Sequence, residues 1–213
     1  MSDARSDVLS RIRDALADKP PPAPVEVSRT RTEPLGLDPV AVFAERVADY
    51  RATVTRCVPD AVPETVAASC RRHAARSLVA PEALPRAWVP PGCELRVDEP
   101  TLSIEQLDSV DGAITGACLA IAETGTIVLD GHGASGRRAL SLIPDLHVCV
   151  VEEAKIVATV DDAFEALTDA AREGRPLTFV SGPSATSDIE LRRVEGVHGP
   201  RRLDVIVVEA PAR

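Results

Sequence analysis

The stretch that decides the fold is LDVIVVE, residues 203–209, which is almost entirely apolar. A strand that is apolar at consecutive positions is buried on both faces, as in the parallel sheets of α/β proteins. The run LTFVSG, residues 177–182, has the same character and is expected to close the same sheet. Together the two runs favour a three-layer α/β/α sandwich over a sheet with one face in solvent.

Helical segments are predicted between further strands. Asp38 and Pro39 supply an N-cap and a first-turn proline, and apolar residues spaced by three and four continue from Val40 to Val54. A second helix is expected to open at Pro63 and to end near Arg76. The predicted strands are SLVAP (77–81), CELRVD (93–98), GACLAIA (116–122), TIVLD (126–130), HVCVV (147–151) and KIVAT (155–159).

Two more helices follow from capping and periodicity. Ser103 and Gln106 form a capping box for a short helix that ends near Asp108. Residues 162–172 form a helix with an apolar face. The inward residues expected on that face are Phe164, Leu167 and Ala171.

The first 37 residues differ from the rest of the chain. Residues 3–18 show helical spacing at Val8, Ile12 and Leu16, whereas residues 20–39 contain six prolines and no periodicity. We therefore expect an N-terminal helix with a proline-rich linker over residues 1–37, followed by one α/β domain over residues 38–213.

Composition excludes several classes of function. The formal charge of -9 and an aromatic content of 2% argue against nucleic-acid binding, which uses basic faces and stacking rings. The five cysteines contain no C-x-x-C pair, so they are expected to be reduced, buried thiols rather than metal or cluster ligands. No secretory signal and no run of 18 apolar residues occur, which predicts a cytoplasmic protein. Because clusters need grouped thiolates and zinc sites need paired His and Cys residues, no metal and no cofactor is expected in this chain.

The first segment that can carry chemistry is AIAETGTIVLD, residues 120–130. Glu123 is a candidate acid or base, and Thr124, Gly125 and Thr126 are candidate ligand-binding residues. Glycine permits backbone angles that other residues resist. The same residues also describe a tight hairpin between two strands, and the sequence leaves both interpretations open.

The second segment is SGPSATSDIE, residues 181–190. Ser187 and Glu190 suggest a capping box at the start of a helix, where free N–H groups and hydroxyls bind phosphate or carboxylate. An ordinary capped helix explains the same pattern, and no P-loop lysine is present. The candidate ligand-binding residues here are Ser181, Gly182, Ser184, Thr186 and Ser187.

The third segment is RRVEGVHGP, residues 192–200. Glu195 and His198 lie three residues apart in a glycine-bounded polar loop, as an acid and base pair would. A lone histidine in a loop is also explained by an ordinary hydrogen bond. Both interpretations stay open for His198.

A fourth segment, DGHGASGRRAL, contains a literal G-x-G-x-x-G pattern at residues 131, 133 and 136. The next strand follows too soon for a dinucleotide-binding unit, which needs a helix at the third glycine. A loop that carries Arg137 and Arg138 is the better interpretation. These arginines are candidates to hold a carboxylate ligand or an acidic partner.

Taken together, AIAETGTIVLD (120–130), GRRALSLIPDLHVCVV (136–151) and LTFVSGPSATSDIELRRVEGVHGPRRLDVIVVE (177–209) resemble the lactate utilisation protein C family, the LutC/YkgG group with its LUD domain. The resemblance implies a Rossmann-like three-layer sandwich of the sugar-phosphate isomerase and CoA-transferase superfamily (NagB/RpiA/CoA-transferase-like). It covers roughly residues 40–210.

The resemblance also implies a function. It suggests an accessory subunit in the oxidation of L-lactate to pyruvate, beside two partner subunits that carry iron–sulfur clusters. The implied superfamily leaves open a stand-alone enzyme or binding protein for a small anionic metabolite such as a sugar phosphate, a CoA ester or a folate. Fold analogy alone does not choose between them.

Overall fold

A computed structural model describes residues 4–18, 36–187, 193–195 and 198–210. The chain divides into two compact units, residues 1–31 and 32–213. The first unit contains helix α1 (Ala4–Leu16), as its periodicity predicts, and no residue of α1 is buried. Most of the predicted proline-rich linker lies outside the described residues.

Six parallel strands form the main sheet of the second unit. The last strand, which contains LDVIVVE, lies inside this sheet, and its residues from Leu203 to Val208 are all buried. The prediction of an α/β fold is confirmed. In spatial order, with strands numbered along the chain, the sheet contains β1 (Thr53–Cys57), β12 (Arg202–Val208), β7 (Leu146–Glu152), β4 (Gly112–Gly116), β2 (Ser77–Ala80) and β3 (Glu94–Val97).

Helices flank this sheet on both faces. Ile206 and Val208 of β12 pack against one helix layer, whereas Val205 and Val207 pack toward the opposite layer. This alternation follows from the two-residue period of a strand. The α-helices described in the second unit, of which α5 packs on the smaller sheet rather than on this one, are α2 (Pro39–Asp49), α3 (Val62–His73), α4 (Ile104–Asp108), α5 (Val160–Ala166) and α6 (Thr168–Arg172).

A smaller, mixed sheet covers the α2 side of the main sheet. Its buried residues, such as Ile127 and Leu129, share a core with Phe43 of α2 and with Val205 of β12. On its other face, Leu167 packs with the small sheet. In spatial order this sheet contains β8 (Ile156–Val157), β5 (Leu119–Ile121), β6 (Thr126–Leu129) and β9 (Thr178–Val180).

The prediction for LTFVSG is therefore wrong in one respect. Its strand β9 pairs with β6 at the edge of the small sheet instead of closing the main sheet, and Phe179 is exposed. A separate antiparallel hairpin joins β10 (Ala185–Ser187) to β11 (Arg193–Glu195). The helix predicted to start at Ser187 falls on residues 188–192, which lie outside the described residues, and Ser187 itself pairs with Arg193 across the hairpin.

Local capping signals were reliable. The Asp38 side chain accepts a hydrogen bond from the N–H of Val40 at 3.0 Å, and both bonds of the Ser103–Gln106 capping box are present. The first predicted helix nevertheless ends at Asp49, because Arg51 adopts a left-handed backbone with φ 67°. Val54 therefore lies in β1, a strand that the spacing did not predict.

The helix expected over residues 162–172 is divided in two. Leu167 is buried as predicted, but Phe164 is exposed and Ala171 is also exposed. Ala163 and Ala170 occupy the inward positions instead. Strand β4 was not predicted either. In the described part of the chain, no helix is long and apolar enough to cross a membrane.

Candidate functional site

Five predicted site residues meet around one cavity of about 520 Å³. The cavity lies between the end of β9, the segment before β12 and the loop after β6. Its volume is in the range of small-molecule sites. We call it the hydroxyl cavity, and the predicted residues on its wall are Arg138, Ser181, Gly182, Ser184 and His198.

Two chain segments are joined at this cavity by Ser184. Its backbone N–H donates to the carbonyl of Pro200 at 2.8 Å, and its Oγ accepts from the backbone N–H of His198 at 3.1 Å. Gly182 packs closely on α2, since a Cβ there would lie 2.8 Å from the Cβ of Tyr50. The SGPS turn and the HGP turn are therefore held together by backbone bonds and close packing.

A chain of hydroxyls connects the ETG turn with the cavity. Thr124 Oγ1 lies 2.7 Å from Thr126 Oγ1, which lies 2.7 Å from Ser181 Oγ. Gly125 has φ 60°, and a Cβ on it would meet the backbone of Val47 at 2.8 Å. The hairpin interpretation is confirmed, because β5 and β6 pair antiparallel across this turn. Ser181 is the residue through which the turn reaches the cavity wall.

Glu123 has a different position from the one expected of a catalytic acid. Its carboxylate accepts a hydrogen bond from the backbone N–H of Val160 at 3.2 Å, at the start of α5. A carboxylate there stabilises the positive end of the helix dipole. The side chain is exposed and is absent from the walls of the hydroxyl cavity.

The two neighbouring arginines are separated by the fold. Arg137 donates to both oxygens of Asp98, at 2.6 and 3.0 Å, and to the carbonyl of Leu102 at 2.7 Å. Burial raises the pKa of Asp98, but the hydrogen bonds from Arg137 and Leu102 outweigh burial and bring this pKa below its usual value. Arg138 instead lines the hydroxyl cavity and a second cavity beside it.

The G-x-G-x-x-G pattern forms no dinucleotide-binding turn. Residues 133–135 make a single short 3₁₀ turn, and Gly136 follows it with φ 62°. A Cβ on Gly136 would meet Leu140 at 2.6 Å and Pro81 at 2.9 Å, so this loop packs closely over the end of β2. Gly131 and Gly136 therefore serve close packing here, whereas a Cβ on Gly133 would meet nothing within 4 Å.

Three predicted residues lie in the β10–β11 hairpin. Thr186 pairs with Val194, and Glu195 pairs with Ala185. Ser187 occupies the end of β10. The roles assigned to Thr186, Ser187 and Glu195 from the sequence stay predictions.

A larger cavity of about 1000 Å³ was not foreseen. It shares Arg138 and His198 with the hydroxyl cavity. Its other walls contain residues at the amino ends of β4, β7 and β12, whereas ligands of open α/β sheets usually bind at the carboxyl ends. We call it the amino-edge cavity, and its ionisable wall residues are His73, Asp108, Asp111, Arg138, Asp145, His198, Arg201 and Arg202.

Behind this cavity lies a buried carboxylate. Asp204, whose side chain is 4% exposed, accepts from Ser69 Oγ at 2.6 Å and from Arg72 Nη1 at 2.7 Å. Its second oxygen lies 3.1 Å from Nε2 of His73. One sequence signal could have found this cluster, since a carboxylate inside an otherwise apolar buried strand needs partners.

The thiols lie apart from both cavities. Burial raises the pKa of Cys70 to about 12 and that of Cys149 to about 12. Burial also raises the pKa values of Cys93 and Cys118. In the described ranges, no group of three or more His, Cys, Asp or Glu side chains could hold a metal ion.

Comparison with known proteins relates this chain to one family. The family model of the LUD domain matches residues 95–208. "Lactate utilization protein C" of Deinococcus radiodurans is 47% identical over 211 residues, which cover 97% of this chain and 96% of that protein. "Lactate utilization protein C 1" of Bacillus mycoides is 37% identical over 105 residues, 47% of this chain and 44% of that protein.

A solved structure has the same fold. The crystal structure of a DUF162 family protein from Deinococcus radiodurans matches with a TM-score of 0.70 and 43% sequence identity. The match covers 80% of this chain and 96% of that chain.

Proposed function

This chain belongs to the LUD domain family, and on that premise we propose that it serves lactate utilisation as an accessory subunit of an iron–sulfur system that oxidises L-lactate to pyruvate. The observation that carries the proposal is the near full-length similarity to a protein named for lactate utilisation. The resemblance of residues 120–130, 136–151 and 177–209 to the lactate utilisation protein C family supports the accessory role in an iron–sulfur system. We place the subunit in the cytoplasm.

A division of labour between subunits follows from the thiols. A cysteine binds an iron–sulfur cluster as the thiolate. Cys70 and Cys149 are buried in the core, and within the described residues no group of three or more His, Cys, Asp or Glu side chains could hold a metal ion. In our proposal the partner subunits therefore carry the clusters, and this chain contributes a binding or organising function.

Growth on L-lactate as sole carbon source tests the proposal. A strain that lacks the gene is expected to fail on L-lactate, to grow normally on glucose and to recover when a plasmid copy is supplied. A tagged copy purified from L-lactate-grown cells is expected to retain protein-bound iron and acid-labile sulfide. Normal growth on L-lactate, in a strain with no second lactate oxidase, would reject the role.

The hydroxyl cavity favours a second candidate function, the binding of a small anionic metabolite such as a sugar phosphate, a CoA ester or a folate. Arg138 supplies a positive charge, and Ser181 and Ser184 supply hydroxyls on the same wall. Such a combination suits phosphate or carboxylate recognition.

Calorimetry with glucose 6-phosphate, acetyl-CoA and a reduced folate tests this candidate. The Arg138→Gln variant is expected to weaken binding of the preferred compound about tenfold, the effect of losing one charge-assisted hydrogen bond. Arg172→Gln is a matched control, because the Arg172 side chain is 76% exposed on α6. If none of the three compounds binds, the candidate is rejected.

A further inference from the structure

The hydroxyl cavity extends along the free edge of strand β9, and every residue from Thr178 to Ser184 lines it. Val180 packs into the core on the α2 side of the small sheet. Phe179 instead stacks on Phe164 of α5, on the opposite side, with ring centroids 6.0 Å apart. Residues whose side chains point to opposite faces of a strand share a cavity at an edge of that strand. Because β6 occupies one edge of β9, the cavity lies along the other.

The backbone of Phe179 presents an unpaired donor and an unpaired acceptor to this edge. Phe179 lies opposite Val128 in the antiparallel pairing of β9 with β6. The carbonyl of Val128 accepts a hydrogen bond from the N–H of Cys118, on the β5 side, at 2.9 Å. Because the N–H and C=O of one strand residue point to the same side, Val128 and Phe179 form a non-hydrogen-bonded pair. The N–H and C=O of Phe179 therefore point to the free edge, and neither is bonded within the described residues.

This edge lacks the protection that the other edges of the two larger sheets have. Proteins protect edge strands with charged side chains or keep them very short. Edge strand β1 contains Arg56, β3 contains Glu94 and Arg96, and β8 has two residues. In contrast, residues 177–182 contain no charge, and Phe179 is 44% exposed. An uncharged free edge is suited to pairing with another extended chain.

The remaining wall of the cavity supplies one positive charge and apolar surface. No carboxylate of the described residues lies within 4.0 Å of the guanidinium of Arg138, which lines the cavity. Tyr50 and Leu142 line it too, and both are exposed large side chains. A chain that pairs with β9 would therefore meet apolar contacts and a cation that favours an acidic side chain.

We propose that the hydroxyl cavity receives an extended peptide segment of a partner protein, which adds to the free edge of β9 as a strand and places an acidic side chain at Arg138. Strand addition satisfies the N–H and C=O of Phe179, and successive side chains of the peptide point alternately to the two faces of the small sheet. The inference rests on the proposed accessory role and deepens it, because it assigns the place where a partner docks. It is an alternative to a small anionic ligand in the same cavity.

Peptides selected from a phage-displayed random library, with the full chain as bait, test this site. The selected peptides are expected to contain alternating apolar residues and an Asp or Glu. The tightest of them, made synthetically, is the probe for calorimetry. Methylation of its backbone amides one at a time is expected to weaken binding at least about tenfold at alternate positions, where the N–H faces β9, and to have little effect between them.

Two pairs of variants relate binding to the residues of the cavity. Phe179→Pro removes the N–H at the free edge, whereas Phe179→Val removes the same ring and keeps that N–H. The proline variant is expected to bind the peptide at least about tenfold more weakly than the valine variant. Arg138→Gln is expected to abolish the preference for the acidic peptide over the same peptide with the corresponding amide residue. Arg172→Gln, on α6, is expected to retain that preference.

Amide spectra verify that each variant is folded, and the amide-methylation pattern tests the proposal even if the proline variant does not fold. The inference is overturned if no peptide is selected, if methylation shows no alternation, or if the folded proline and valine variants bind equally. A dimer of the chain alone that Phe179→Pro disrupts would also overturn it, because a second copy would then occupy the edge. Growth on L-lactate does not report on β9, so failure of the accessory role is distinguishable from failure of this site.

Discussion

Two histidines of the second unit are bonded to polar partners but lie in opposite environments. His147 of β7 is buried, and its Nε2 lies 2.8 Å from Oγ1 of Thr115 on the neighbouring strand β4. His73 lies at the end of α3 with a side chain that is 16% exposed, and its partner is the carboxylate of Asp204. One ring is enclosed by the core, and the other faces a cavity.

The difference shows that access and the charge of the partner, rather than residue type, separate a histidine enclosed in the core from one that faces a cavity. Burial lowers the pKa of His147 to about 4, so the ring stays neutral at physiological pH and a neutral hydroxyl satisfies it. His73 has a carboxylate partner and lies on the wall of the amino-edge cavity. Neither property is visible in the residues next to each histidine.

The largest expected effect comes from the edge cluster, which consists of Asp204 with Ser69, Arg72 and His73 around it. Asp204→Ala leaves Ser69 and His73 without their acceptor next to the guanidinium of Arg72, which is expected to lower the free energy of unfolding by about 4 kcal/mol. Urea denaturation measures the change. Asp169→Ala, at a side chain that is 88% exposed, is the control. A loss no greater than that of the control would show that the edge cluster is not a buried network.

Acid pH is expected to lower the free energy of unfolding through the buried His147. Because the pKa of His147 is about 4 in the folded state and about 6.5 when unfolded, the unfolded chain binds a proton first as pH falls. The contribution of the neutral His147 ring to the free energy of unfolding is complete above about pH 6.5. It is lost as the pH falls toward 4, which lowers that free energy by about 3 kcal/mol.

Unfolding free energies of wild type and His147→Gln over this pH range isolate that change. Wild type is expected to lose about 3 kcal/mol more than the variant. Asp98 and Asp111, whose pKa values are lowered, lose their contribution equally in both proteins. Parallel pH profiles would contradict the assignment of a neutral interior ring.

The partner of His147 is expected to have a smaller effect. Thr115→Val keeps the shape of the side chain but leaves Nε2 of His147 without a hydrogen bond in the core, at a cost of about 2 kcal/mol. Thermal or urea unfolding measures it. In the double variant with His147→Gln, a cost equal to the sum of the two single changes would show that the pair is not coupled.

The smallest effect is expected at Ser69. Ser69→Ala removes one hydroxyl donor to the charged Asp204 while Arg72 and His73 remain, so the loss is about 1.5 kcal/mol. Urea denaturation measures the loss. A loss as large as that of Asp204→Ala would show that the edge cluster depends on the hydroxyl of Ser69 as much as on the carboxylate.

Several predicted site residues have partners that are distant in the chain, so their positions depended on the tertiary fold. The fold brings Ser181 and Ser184 to the same cavity wall as Arg138, whereas their predicted binding roles stay predictions. Arg137 could not be distinguished from its neighbour, since its distant partner Asp98 precedes it by 39 residues. Glu123 likewise caps α5, whose start lies 37 residues away in the chain.

The sequence by itself determined the features that rest on neighbouring residues. The Asp38 and Ser103 caps, the turn at Gly125 and the buried strand β12 follow from local hydrogen bonds, backbone freedom and apolar runs, all of which act within a few residues.

Only the tertiary structure decided which strands share a sheet and where the cavities lie. It placed β9 in the small sheet and brought His73 to Asp204, 131 residues further along the chain. Such contacts arise when whole layers pack together, because the packing energy is the total of many weak contacts between distant residues. A short stretch of sequence does not show which distant residues will meet.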